Sequence, residues 1–222
     1  MHIIEAAVRL FAPHICLGCG VEEDRLLCMG CAASLPPVPS RCYRCAAVTT
    51  DYAVCRDCVP GTPLRQVLVH AHYRDLAKEL VHRTKYERAR AGIGEMAEGM
   101  AGLLPCLPED VTLTHVPTAT SRIRQRGYDH ARLLARMLAR DGLTHETLLA
   151  RVGQAHQVGA GRAARVRQLQ GSFRAVHKGS IRGKHIVLVD DVLTTGATLE
   201  AAARELKRAG AGRVSAVVFA QA

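Results

Sequence analysis

Two hydrophobic periods alternate along residues 63–222 of this 222-residue chain. Short apolar runs at 67–71, 111–116, 186–189 and 214–219 have the β-branched and leucine content of strands buried on both faces. Between them, apolar residues recur three and four positions apart. That spacing predicts helices over 76–85, about 92–103 and about 129–140, and another after Thr198. Leu133, Leu134, Met137 and Leu138 form the apolar stripe of the third, and Leu199, Ala202, Ala203 and Leu206 that of the fourth. Pro105 stops the second helix, Pro117 ends the 111–116 strand, and a turn at Gly210–Gly212 precedes the last strand. Residues 118–127 read as a polar loop carrying Arg122, Arg124 and Arg126. Strands alternating with helices predict an α/β domain, a mostly parallel sheet flanked by helices with right-handed crossovers.

Residues 1–62 break this pattern. They have few large apolar residues but hold eight of the nine cysteines, as Cys16-x2-Cys19, Cys28-x2-Cys31, Cys42-x2-Cys45 and Cys55-x2-Cys58. A CxxC pair is a tight knuckle whose sulfurs face one ion, and two knuckles complete a tetrahedral zinc site. A segment this poor in core residues draws its folding free energy from such a metal. Sequential pairing joins the first two knuckles and the last two; interleaved pairing joins first with third and second with fourth. Loops of eight and nine residues within each sequential set, separated by Pro36, Pro37 and Pro39, favour the first. One zinc or two would be structural, because nothing nearby supplies an open metal position or a general base. His14 could replace a cysteine but reads first as a plain surface histidine, and Cys106 reads as a small buried hydrophobe. Pro60-Gly61-Thr62-Pro63 is a good linker, so the expected units are a zinc-ribbon-like module at 1–62 and the α/β domain at 63–222.

No run of 18 apolar residues is present, so no membrane span is expected. Residues 1–8 read as a short amphipathic helix and not as a signal peptide, and paired cysteines in such a chain point to metal binding in the cytoplasm. The formal net charge is +10, and it is uneven. Residues 1–62 are near neutral, whereas 63–222 carry 25 basic and 14 acidic residues. From Arg151 to Lys184 there are eight Arg or Lys and no acid. A stretch of that kind attracts a polyanion, either a diphosphate or nucleic acid. Arg151, Arg162, Arg165, Arg167 and Arg174 are the candidates for contact with single-stranded DNA; the low aromatic content leaves such contact to charge and not to base stacking.

The most specific chemistry lies at 186–198, Ile-Val-Leu-Val-Asp-Asp-Val-Leu-Thr-Thr-Gly-Ala-Thr. Two carboxylates end a buried strand, where open α/β sheets place their ligands. Thr194, Thr195, Gly196, Ala197 and Thr198 then lead into a helix N-terminus, where free N–H groups and hydroxyls suit a phosphate. Carboxylates beside that cradle suit vicinal ribose hydroxyls or hydrated magnesium. A strand–turn–helix with a capping threonine needs only one hydroxyl and no acids. The string resembles the phosphoribosyl-diphosphate (PRPP) signature of type I phosphoribosyltransferases almost residue for residue. That resemblance implies that Asp190 and Asp191 hold the ribose 2- and 3-hydroxyls, that Thr194 to Thr198 wrap the 5-phosphate, and that magnesium accompanies the ligand. In the same scheme the loop after the 111–116 strand meets diphosphate. Arg122, Arg124 and Arg126 are then anion candidates, with Lys85 beside them, and Arg126 joins the two aspartates in catalysis. Arg151–Gln170 occupies the place of a loop that closes over substrate.

The order of features over nearly the whole chain resembles the ComF family, zinc-ribbon-bearing, phosphoribosyltransferase-like proteins associated with competence and including the GntX type. It runs from the paired cysteines to Lys85-Tyr86, Val116-Pro117, Arg126-Gly127-Tyr128-Asp129-His130-Ala131 and the 186–198 string. The family usually has Pro-Val-Pro where this chain has His115-Val116-Pro117, and Arg-Gly-Phe-Asn-Gln where it has Arg126-Gly127-Tyr128-Asp129-His130. The resemblance implies a part in natural competence and DNA uptake. Three functions follow: a phosphoribosyltransferase with an acceptor still to be named, a non-catalytic single-stranded DNA or helicase-partner protein that keeps a PRPP site, and a PRPP-sensing regulator.

Overall fold

In a computed structural model, residues 14–86, 91–139, 142–152 and 171–222 are described. The centre is a five-stranded parallel sheet of β3 (Val67–His72), β4 (Thr112–His115), β5 (Thr144–His145), β8 (His185–Leu193) and β9 (Arg213–Gln221). Its order is β3-β9-β8-β4-β5. The two central strands are nearly continuous apolar runs because both faces of the sheet are covered. Pleat alternation divides them between two cores. Val187, Val189, Val217 and Phe219 face one side, under α2 (Asp75–Tyr86), α3 (Ala91–Ala101) and α5 (His130–Leu138). Ile186, Leu188, Ala216 and Val218 face the other, under α6 (Ala197–Arg208), which contributes Leu199, Ala202, Ala203 and Leu206.

The mostly parallel sheet with flanking helices is the expected architecture. Four details differ. Residues 120–126 form a short helix, α4 (Thr120–Arg126), closed by Gly127 at φ +83, where a polar loop was expected. The third helix starts at His130 because Asp129 is its N-cap, accepting from Arg132 N at 3.3 Å; Arg140 lies outside the described residues. The second helix stops at Ala101, and 104–106 is a 3-10 turn. Two short strands, β6 (Leu149–Arg151) and β7 (Phe173–Ala175), pair antiparallel, and Val152 N donates to Ser172 O at 2.8 Å just beyond them. The expected N-terminal helix, most of the expected closing loop, and Arg162, Arg165 and Arg167 lie outside the described residues. Among the described residues no helix is long and apolar enough to cross a membrane.

The Cys-rich segment packs along the edge strand β3, with β1 (His14–Ile15) paired to β2 (Glu22–Glu23) and one short helix, α1 (Met29–Ala33). Isolated antiparallel bridges Pro37↔Ala71 and Ala53↔Gln66 cover that edge. Leu26, Leu27 and Leu35 enter one core and Val38, Tyr43 and Val54 the other, so the segment wraps both sides of β3. Arg25 ties it further to α3 through Glu95 at 2.6 Å and through Glu98. An open strand edge is a template for aggregation, and this packing removes one.

Candidate functional site

The folded chain sorts its eight paired cysteines into two quartets. Cys16, Cys19, Cys28 and Cys31 form one, and Cys42, Cys45, Cys55 and Cys58 the other, with ligand atoms within 4.8 Å of one another. Sequential pairing is therefore the observed one, and each quartet is complete without His14. Thiolates around one tetrahedral zinc stand about 3.8 Å apart. The Cys19–Cys28 sulfurs are 3.7 Å apart and the Cys45–Cys55 sulfurs 3.5 Å. Cys28 N donates to Cys16 Sγ at 3.3 Å, as in a knuckle built to hold thiolates. Burial alone would raise Cys16 and Cys42, but backbone N–H donors bring both down to about 6. Two closed, all-sulfur sites of this kind fit zinc in a structural role. Cys106 stands apart from them, half-buried, with its carbonyl accepting from Gln66 Nε2 at 2.9 Å.

The 186–198 string builds the other site. β8 runs on to Leu193 because it stays paired with β9, Asp190 opposite Val218 and Leu193 opposite Gln221. The two acids are therefore held on a rigid strand near its carboxyl end. Asp191 is buried, and its Oδ2 meets Lys85 Nζ at 3.0 Å and His130 Nε2. His130 Nδ1 faces Arg126 Nη1 at 3.1 Å. A guanidinium only donates, so Nδ1 accepts and the ring proton sits on Nε2, directed at Asp191. Asp190 Oδ1 accepts from Asp191 N at 2.9 Å. Burial and the neighbouring charge of Asp191 push Asp190 upward. Burial would raise Asp191 too, but Lys85 and His130 outweigh it and hold that carboxyl well below its ordinary value. The pair is thus split, with Asp191 held ionised and Asp190 shifted upward.

Beyond Leu193 the chain turns into α6. Thr194 is exposed and Thr195 half-buried, with Thr195 Oγ1 accepting from Ala197 N at 3.4 Å. Gly196 is the N-cap at φ +78, a conformation that costs a residue with a Cβ. Thr198 lies in the first turn of α6, whose N–H groups have no partner within the helix.

The three anion-candidate arginines of α4 differ in burial. Arg122 and Arg124 are exposed and Arg126 is buried, stacked over the Tyr86 ring at 5.5 Å. Lys85 and Arg126 are engaged by Asp191 and His130, yet Arg126 Nε is buried without a hydrogen-bond partner. Arg151, a nucleic-acid candidate, lies half-buried beneath the loop after β4, with Nη1 donating to Pro117 O at 3.5 Å and its guanidinium over Phe173 at 5.3 Å. Burial lowers its pKa, as does Arg122, while Asp190 opposes them, so the three share one neighbourhood. Its Nε too is buried and unpartnered. Only the β6–β7 pairing revealed this, since Arg151 opens a basic run in the sequence. Arg174 is exposed on β7. Asp129 holds the loop after β4 by accepting from Thr118 N at 3.2 Å and Thr118 Oγ1 at 2.9 Å.

A parallel sheet with an acid pair and a hydroxyl-rich turn at the carboxyl end of a central strand defines a phosphoribosyltransferase-like domain. The family model of the phosphoribosyl transferase domain matches residues 133–222. The chain is 31% identical over 206 residues to DNA utilization protein YhgH of Salmonella typhimurium, covering 85% of this chain and 87% of that one. It is 29% identical over 200 residues to competence protein ComFC of Bacillus subtilis, covering 86% and 81%. Purine phosphoribosyltransferase from Pyrococcus horikoshii overlays at a TM-score of 0.33 with 19% identity, covering 58% of this chain and 72% of that one. The chain belongs to the ComF family.

Proposed function

We propose that this chain binds magnesium-PRPP at the end of β8 and acts in competence, the process named for its relatives. The observation that carries the reading is the placement of Asp190 and Asp191 on one rigid strand end immediately before the Thr194–Thr198 turn. The turn would take the 5-phosphate and the acids the ribose hydroxyls. Magnesium would supply positive charge to the diphosphate. The unpartnered Nε–H groups of Arg126 and Arg151 are protein donors of the same sign. In a transferase step the C1–oxygen bond to diphosphate breaks, the leaving group keeps the electron pair, and an acceptor nucleophile bonds to C1 and loses its proton. Asp190 and Asp191 would steady the positive charge that grows on the ribose.

Calorimetry with magnesium-PRPP tests the reading. Two hydrogen bonds to charged groups contribute about 1.5–3 kcal/mol each, so Asp190→Asn with Asp191→Asn should weaken binding by roughly 100-fold or more. Unchanged affinity in a folded double variant rejects the assignment. Diphosphate release measured against a panel of bases then separates an enzyme from a sensor.

A second reading, binding of single-stranded DNA, is favoured by the exposure of Arg174, Lys178, Arg182 and Lys184 at the end of the acid-free stretch. Binding through these charges should weaken steeply with salt, with a slope that falls by about 0.7 for each phosphate contact removed. Salt-independent binding, or none, ends that reading.

A further inference from the structure

The Cys-rich segment also reaches the candidate site, through a side chain that no motif singles out. Tyr43 lies between Cys42 and Cys45, in the turn that presents two sulfurs of the second quartet. Its Cε2 stands 2.8 Å from where a Cβ on Gly196 would be. Gly196 is the residue at which the phosphate-type turn becomes α6, so the tyrosine ring presses against the floor of that turn. The ring fills the space that glycine leaves and blocks any rearrangement of the turn in its direction.

The phenol makes a second attachment. Tyr43 donates to Glu200 Oε1 at 2.9 Å and lies 2.7 Å from Thr62 Oγ1. A carboxylate only accepts, so the Tyr43 proton is committed to Glu200 and the Thr62 hydroxyl donates to the Tyr43 oxygen. Glu200 is itself buried in the first turn of α6. Arg44, the next residue of the same knuckle, reaches Glu200 at 3.8 Å, and Arg204 does so at 2.8 Å. One turn of the second quartet therefore grips the turn and the helix start that would hold a 5-phosphate.

We propose that Tyr43 is a positioning residue for the sugar-phosphate site. Metal in the Cys42–Cys45–Cys55–Cys58 quartet sets the Tyr43 turn, and Tyr43 holds residues 194–198 in their anion-binding shape. Zinc affinity at that quartet and PRPP affinity at α6 are then linked, and the linkage is reciprocal. This rests on the PRPP reading above. A cradle already in its bound shape loses less free energy on binding than one that must be ordered.

The test compares full-length wild type, Tyr43→Phe and Tyr43→Ala, each with its zinc content measured. Hydrogen exchange is followed at residues 194–200, magnesium-PRPP affinity by calorimetry, and zinc affinity with a competing chelator, with and without PRPP. Tyr43→Phe loses the hydrogen bonds to Glu200 and from Thr62 but keeps the ring against Gly196, so it should stay within about threefold of wild type in PRPP affinity if the ring contact holds the turn. Tyr43→Ala, with both zincs retained, should exchange faster at 194–200 and bind PRPP at least about tenfold more weakly, within the usual range of coupling. PRPP should tighten zinc binding at one quartet in wild type and not in Tyr43→Ala. Wild-type exchange and wild-type PRPP affinity in Tyr43→Ala overturn the proposal. Should Tyr43→Ala lose metal, Tyr43→Leu replaces it with the same outcomes. If wild type binds no PRPP, the sugar-phosphate reading falls, and the exchange rates at 194–200 alone decide whether Tyr43 braces the turn.

Discussion

Purified under reducing conditions, the protein should carry about two zinc ions per chain, and removing them should unfold residues 16–58. The expected effect is large. Structural zinc in small modules contributes about 10–16 kcal/mol of apparent binding free energy, which is comparable with the whole stability of a domain. The segment has little to replace it, since its buried side chains sit in cores that it shares with the sheet. Leu26, Leu27 and Leu35 sit in one core of the α/β domain and Val38, Tyr43 and Val54 in the other. Losing the segment would therefore open both cores beside β3 and free the strand edge that Pro37 and Ala53 now cover. Chelation should produce protease cleavage within 16–58, binding of an apolar dye, and concentration-dependent association through the edge. Cys42→Ser with Cys45→Ser should halve the zinc content. A metal-free protein with an unchanged unfolding midpoint would refute the structural role.

Gly196→Ala should cost about 2–5 kcal/mol of stability and abolish PRPP binding. Two effects add. Positive φ costs a residue with a Cβ about 1–2 kcal/mol, and forcing an extra group into a packed site about 1–3 kcal/mol. Both apply here, because Gly196 has φ +78 and its Cβ would meet Tyr43 Cε2 at 2.8 Å. Gly183 separates the two. It has φ +75 but nothing within 4 Å of a Cβ, so Gly183→Ala should show the strain alone, about 1–2 kcal/mol, and leave PRPP binding intact. Denaturant midpoints compare the stabilities, and calorimetry reads the site. Equal losses in the two variants would mean that Tyr43 yields freely.

Long, strongly patterned elements were legible before any coordinates. The apolar run 186–189 and the Leu199–Leu206 stripe marked β8 and α6, because a strand buried on both faces and a helix buried on one leave unlike periods. The acids and hydroxyls between them were legible as a site for the same reason: the chemistry is contiguous. Short elements were not. β5, β6 and β7 have two or three residues each, too few for a period, and exist only through their pairing. α4 carries polar residues that also suit a loop, and Gly127 closes it only once the backbone is seen in the left-handed region.

Three side chains changed meaning for a related reason. Arg151 reads as the start of a basic run, but β6 carries it to Pro117 and into the neighbourhood of Asp190. His130 reads as a departure from a family glutamine, but α5 aims it at Asp191 and Arg126 fixes its tautomer. Tyr43 reads as a spacer inside a CxxC knuckle, but the docking of that knuckle lays it on Gly196, more than 150 residues away in the chain.

Local chemistry decided what the chain alone could decide: an α/β sheet, CxxC knuckles suited to a metal, and an acid–hydroxyl turn on a helix start. These depend on residues close together in sequence, where spacing and periodicity translate directly into geometry. The tertiary structure decided which knuckles share a quartet, which arginine turns inward, and that the second quartet braces the turn of the candidate site. Those depend on contacts between distant segments, whose approach is set by packing the two faces of one sheet and leaves no periodic trace in the sequence.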